Sequence, residues 1–194
     1  NNLKFLNNLN LKFFPEIFSK DSTKYLIMSF FNNNKIKPNK TENDLIKAIV
    51  DIHSLSNLYY GFEFDTQIGG LRQINSKTNN WVDFYRDYRL RYIYELICSS
   101  FPMDAKINNK IELLLKQLDE RIPKNPKISL LHGDLWEGNI LFKDLEFIGL
   151  IDPGSFYGHN ELEISYLRWF NPCFIDERFL DKYNDYISID KYYL

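Results

Sequence analysis

Apolar residues recur along this chain at two periods, and the changes of period divide it into elements. Leu45, Ile46, Ile49, Val50 and His53 share one face of a 3.6-residue repeat, with Thr41 placed to cap that helix and Asp44 as a weak capping-box partner. Trp81, Phe84, Tyr85 and Tyr88 form an aromatic stripe at helical spacing, and the helix continues over 88–99. Ile111, Leu114, Leu115 and Leu118 mark another helix over 108–120. Lys116 and Glu120 stand four apart on its outer face, and Pro123 and Pro126 stop it. Leu3, Phe5, Leu6 and Leu9 read as a helix tail at the start of the chain. The segment 161–170 reads as a further helix, in which Arg168, Trp169 and Phe170 predict helix–helix packing with a snorkelled cation.

Short apolar runs supply the strands. Residues 24–31 (KYLIMSFF) form one, and Ile128–Leu131 another. The runs 140–142 and 147–151, with polar 143–146 between them, predict a β-hairpin, while Gly69-Gly70 is a turn. The polar stretch 32–40, with three successive asparagines and Pro38, reads as a linker whose asparagines face solvent.

Composition narrows the classes. Hydrophobic residues make up 44% and aromatics 16% of 194 residues, which is a folded chain. A net charge of −2 with scattered lysines offers no basic stripe to nucleic acid or an anionic membrane. Cys98 and Cys173 have no metal-ligand spacing and read as buried thiols in a reducing compartment. No apolar run approaches the roughly twenty residues that span a bilayer, and no signal peptide is visible, so a cytoplasmic location is expected. The chain opens mid-pattern at Asn1 and ends at Leu194 without a helix stop, which predicts a piece of a longer protein at both ends.

Candidate chemistry concentrates in 129–159, SLLHGDLWEGNILFKDLEFIGLIDPGSFYGH. Asp134 is followed five positions later by Asn139, and Asp152 lies thirteen beyond that. Transfer of a terminal phosphoryl group to an alcohol needs a carboxylate that orients the hydroxyl and accepts its proton, which suits Asp134. It also needs hard oxygen ligands for Mg²⁺, which suits Asn139 and Asp152. The hairpin would carry Asn139 at its entrance and Asp152 at its exit, bringing both to one end. Each residue alone is an ordinary Asx-turn or cap; the set in this context is what points to phosphoryl transfer. Glu163 either helps hold the loop or complements a helix dipole. His53 reads as a core histidine and His159 as a loop histidine.

HGDLWEGNIL followed by IDPGSFYGHNELE resembles the fructosamine kinase family, relatives of the aminoglycoside phosphotransferases and choline kinases. A second stretch carries the same resemblance, through Gly61, Phe62, Asp65, Thr66, Ile68, Gly69, Leu71, Gln73, Asn75, Trp81, Phe84, Arg89 and Leu90. The resemblance implies an α+β, protein-kinase-like fold. Residues 1–31 would close the N-lobe, 32–40 would be the hinge or linker, and 41–194 would be a helical, C-terminally incomplete C-lobe around the catalytic-loop hairpin. It further implies ATP with Mg²⁺, and adenine held by backbone at Met28, Ser29, Phe30 and Phe31. Trp136 would lie on the substrate side, its structural reading staying open. Asp65, Thr66 and Gln73 would border a sugar pocket, or else shape their own loop. The expected reaction is phosphorylation of a sugar hydroxyl on a small or protein-bound ketoamine, with Asp134 as base. The family pattern is incomplete here: the first glycine is Gly61, so the phosphate-covering glycine loop and strand lysine fall outside these residues. A kinase of another small alcohol, such as an aminoglycoside, choline or homoserine, and a nucleotide-free scaffold stay open as alternatives.

Overall fold

A computed structural model describes residues 1–19, 24–40 and 42–190. The opening apolar repeat forms helix α1 (Asn2–Asn8) and buries Leu6. The run 24–31 does not become a strand. It meets residues 16–19 at a single bridge, Ile17 to Met28, supported by Ser29 N–H to Glu16 O at 2.8 Å. Tyr25, Leu26, Ile27, Met28 and Phe30 are all exposed, because this one irregular pairing offers no sheet face to bury them.

Helix α2 (Asn43–His53) carries the expected buried face. Its cap is Glu42, whose carboxylate accepts from the Asp44 and Leu45 N–H groups, while Thr41 lies outside the described residues. Asp44 pairs with Lys47 instead of closing a capping box. The linker asparagines are not all idle. Asn34 exchanges two hydrogen bonds with Asp144, at 2.8 and 3.1 Å, and so fastens the linker to a distant turn.

Strands β1 (Thr66–Ile68) and β2 (Leu71–Gln73) form a hairpin, with Gly69 and Gly70 supplying the positive φ of its turn. Asn80 caps α3 (Trp81–Tyr85), which runs through a π-helical stretch, Arg86–Arg91, into α4 (Tyr92–Ser100). The expected helix 108–120 begins earlier and breaks at Gln117, giving α5 (Ala105–Lys116) and α6 (Leu118–Arg121). The break separates Lys116 from Glu120, and Leu114 is 40% exposed while Leu115 and Leu118 are buried.

Strand β3 (Ile128–Leu131) pairs antiparallel with β6 (Phe156–His159), and β4 (Ile140–Lys143) pairs with β5 (Glu146–Leu150). His159 is therefore a strand residue opposite Ile128, not a loop histidine, and burial pushes its imidazole down to about 4. Helices α7 (Asn160–Trp169) and α8 (Glu177–Asn184) follow. Trp169 is 82% exposed, and Phe170 is about half-exposed with its ring against Trp136 and Tyr166, which corrects the expected helix–helix contact. The cysteines are free thiols, with Cys98 half-buried and Cys173 exposed, so neither is a core residue. One hydrophobic cluster runs from Leu6 and Phe14 through Trp81 and Leu130 to Tyr183 and Ile187. No helix of the described residues is long and apolar enough to cross a membrane.

Candidate active site

The β3–β6 pairing sets the segment after β3 beside the segment before β6. Gly133 has φ +86°, and a Cβ on it would lie 2.2 Å from the Gly154 carbonyl oxygen, so the His132–Asp134 and Asp152–Ser155 loops touch backbone to backbone. The Ser155 hydroxyl donates to His132 O at 3.3 Å across the same seam.

Glu163, on the first turn of α7, holds the His132–Asp134 loop. It accepts the N–H groups of His132 (2.9 Å) and Gly133 (2.6 Å), and His53 Nε2 at 2.9 Å. Burial alone would raise this carboxyl, but the His53 hydrogen bond and charge and the Gly133 N–H leave it below the usual range. His53 in turn meets the Tyr183 hydroxyl at 2.7 Å through Nδ1, and Asn160 donates to that hydroxyl. The histidine expected in the core is there, serving as a strut.

His132 bonds Ile151 O through Nε2 (3.0 Å) and accepts the Asp134 N–H through Nδ1 (3.3 Å), which fixes the Nε2-protonated tautomer. Burial holds its pKa below the ordinary histidine value, so the ring is a neutral brace between two loops.

Asp134 is only partly buried, and desolvation raises its pKa above the ordinary aspartate value. It accepts from the Tyr166 hydroxyl at 3.3 Å and from Asn139 Nδ2 at 3.2 Å. The same Asn139 nitrogen donates to Asp134 O at 2.8 Å, which leaves the amide oxygen as the side chain's remaining donor to a cation. Asn139 O accepts Ile151 N–H at 3.1 Å, closing the neck of the hairpin one residue before Asp152. Asp152 is exposed, with φ +53°. An amide oxygen and a free carboxylate beside this neck are hard donors of the kind Mg²⁺ takes.

The rim is built from Trp136 and Phe170, whose rings are 5.6 Å apart. The indole lies over Gly138, where a Cβ would fall 2.4 Å from it, and Trp136 keeps 38% of its surface exposed. Lys37 of the linker pairs with Glu137 at 2.5 Å.

The remaining candidates are distributed differently. Asp65 accepts Asn75 N–H at 2.9 Å and Arg72 Nε at 2.7 Å, and so ties its own hairpin. Thr66 and Gln73 are buried, and both donate to Gly154 O, at 3.3 and 2.8 Å. Met28 and Phe30 face solvent, and Ser29 is bonded through both N–H and hydroxyl to Glu16. Phe31 lies across Gly149, where a Cβ would come 2.7 Å from its ring. Sequence reasoning missed Tyr166. Its spacing of three from Glu163 on one helix places both on the face toward the loop, which is the signal that could have found it.

The fructosamine kinase family is matched over residues 1–194. The chain is 33% identical over 150 residues to the chloroplastic protein-ribulosamine 3-kinase of Arabidopsis thaliana, an overlap taking in 75% of this chain and 44% of the plant protein. It thus spans under half the length of that relative. Among solved structures it is similar to a "putative fructosamine-3-kinase" from Haemophilus somnus, with a TM-score of 0.81 and 22% identity, over 98% of this chain and 64% of that one. It is also similar to aminoglycoside phosphotransferase APH(2'')-Ib in its ADP-bound form, with a TM-score of 0.60 and 16% identity, over 95% of this chain and 64% of that one. These two likenesses are of fold: the chain has the protein-kinase-like α+β architecture.

Proposed function

As the chain belongs to the fructosamine kinase family, we propose that it carries the phosphoryl-transfer machinery of an ATP-dependent kinase acting on a sugar hydroxyl of a small or protein-bound ketoamine. The observation that carries this reading is the contact between Asp134 and Asn139 on a loop clamped by Glu163. A carboxylate whose proton affinity is raised by desolvation orients an alcohol and takes its proton as the new P–O bond forms. Tyr166 and Asn139 fix the direction of that carboxylate. Asn139 and Asp152 are the residues that would hold Mg²⁺, which when bound neutralises phosphate charge on the nucleotide.

In the same reading Trp136 presents an aromatic face to the C–H surface of the sugar. Backbone at Met28, Ser29, Phe30 and Phe31 lies on the adenine side. Residues 1–31 then end the ATP-side lobe, 32–40 link, and the rest forms the phosphoryl-transfer lobe. The two free thiols suit a reducing, cytoplasmic setting.

The test is Asp134→Asn in a form that also carries the phosphate-covering glycine loop, assayed by ketoamine-dependent release of ADP. Turnover is expected to fall by about 10²–10⁴-fold. The melting temperature should hold or rise, since a partly desolvated carboxylate is removed. Undiminished turnover in the variant excludes Asp134 as the base. Mg²⁺–ATP binding in a thermal-shift titration, run on this chain and on a longer form that carries the phosphate-covering glycine loop, separates the alternatives. This chain is expected to bind weakly by itself, and no binding by either form favours the scaffold.

A further inference from the structure

The β1–β2 hairpin spends its signature residues on a backbone carbonyl. Gln73 Nε2 and Thr66 Oγ1 both donate to Gly154 O, at 2.8 and 3.3 Å. Thr66 Oγ1 accepts from Gln73 Nε2 at 2.8 Å and from Asn75 Nδ2 at 2.9 Å, so its one proton has Gly154 O to go to. Asn75 Oδ1 accepts from Arg89 Nη2 at 2.7 Å, and Arg89 Nη1 donates to Ile74 O at 2.7 Å. The guanidinium sits over the rings of Phe84 and Phe156, with 4.6 and 4.1 Å between its carbon and their centroids. Phe156 follows the Gly154-Ser155 segment directly, so Arg89 reaches one loop by two routes.

Thr66, Gln73 and Asn75 are 8, 6 and 1% exposed. A buried chain whose hydrogen bonds run in one direction has one low-energy arrangement, because any slip leaves a polar group unpaired away from water. The same Gly154 carbonyl lies against Gly133, where there is no room for a Cβ. The Asp152–Ser155 loop is thus gripped between the hairpin and the loop that carries Asp134.

We propose that Thr66, Gln73 and Asn75, anchored by Arg89, are positioning residues that set the Asp152 loop against Gly133 and so fix the spacing of Asp152 from Asp134. They act through Gly154 and not as ligands of the sugar. The proposal deepens the kinase reading above, and its catalytic consequence rests on that reading.

The experiment compares the wild-type chain with Gln73→Leu and Thr66→Val, two near-isosteric losses of a donor to Gly154 O. Two readouts need no turnover: amide hydrogen exchange over 130–135 and 152–157, and Mn²⁺ binding followed by electron paramagnetic resonance. Exchange in both stretches is expected to speed up about tenfold, the scale of one hydrogen bond, although the mutations lie in neither. Half-saturating Mn²⁺ should rise by a similar factor. With a small fructosamine, kcat should fall and KM should hold. Unchanged exchange over 130–135 in both variants overturns the proposal. So does a raised fructosamine KM with unchanged Mn²⁺ binding and kcat, since that marks sugar ligands. Should a longer form that carries the phosphate-covering glycine loop neither bind Mn²⁺ nor transfer phosphate, the kinase reading fails while the exchange comparison still decides the brace.

Discussion

Glu163 shows how much of this site rests on a single carboxylate. It is buried, it takes the two N–H groups of His132 and Gly133 that would otherwise be orphaned, and it bonds His53. In Glu163→Gln the new NH₂ group faces N–H donors, which leaves buried polar groups opposed. The expected cost at pH 7 is about 2–4 kcal/mol, or roughly 5–15 °C in Tm for a chain of this size. Linkage gives the pH course. The folded pKa of Glu163 lies below the ordinary value, so its stabilisation is complete above the ordinary glutamate range and is lost as pH falls through the folded value. Urea unfolding should therefore show the gap between wild type and Glu163→Gln narrowing toward acid pH; a gap that stays constant down to strongly acid pH refutes the assignment. The contact of Asp134 with Asn139 was legible in the sequence because the two stand five positions apart on one loop. The partner of Gln73 was not, since Gly154 is 81 residues away and its carbonyl carries no side-chain signal. A glutamine near an expected sugar pocket reads as a ligand until the fold shows what already occupies its amide.

Most elements came through from sequence, although the helix expected over 108–120 breaks at Gln117 and the run 24–31 forms no strand. The 140–150 hairpin and β3 formed where the apolar runs placed them. The run 24–31 has the same composition, but a strand needs a ladder, and one bridge to Ile17 does not make one. The hairpin's turn offers a direct check on element-level strain. Asp144 and Leu145 have φ of 51° and 74°, the left-handed pair of a two-residue turn in which glycine is favoured at the second place. Leu145 is exposed and contributes a backbone N–H to Ile36 O, which glycine would keep. Leu145→Gly should relieve about 1–2 kcal/mol of backbone strain and raise Tm by a few degrees. A fall in Tm on calorimetry would mean that the leucine side chain stabilises the turn through packing. Asp144 is the poorer place for glycine, because its carboxylate accepts from Asn34 and that tie between linker and hairpin would be lost.

At the scale of the whole molecule, the first residues are structurally continuous with the loops that carry Asp134 and Asp152. Leu6 and Phe14 belong to the same hydrophobic cluster as Leu130, Leu131 and Leu150. Asn2 donates to Pro153 O at 2.7 Å, beside the Asp152 loop, and Phe14 stacks on His132 with 5.8 Å between ring centroids. Leu150 N–H is bonded to Phe13 O at 2.8 Å, so the hairpin that delivers Asn139 and Asp152 is pinned by the same segment. Sequence periodicity exposed the amphipathic tail at Leu3, Leu6 and Leu9 but not where it docks, because docking is set by cavities that other elements leave. Leu6 is fully buried, so Leu6→Ala removes its transfer energy and opens a cavity, at an expected cost of about 2–5 kcal/mol. Because the cluster is shared, that loss should shift one cooperative transition as a whole, with hydrogen exchange at Leu131 and Leu150 rising alongside that of α1. Were residues 1–14 merely laid on the surface, the helix would loosen in Leu6→Ala while the amides of β3 and β5 kept wild-type protection. That pattern would separate the amino-terminal segment from the fold that holds Asp134 in place.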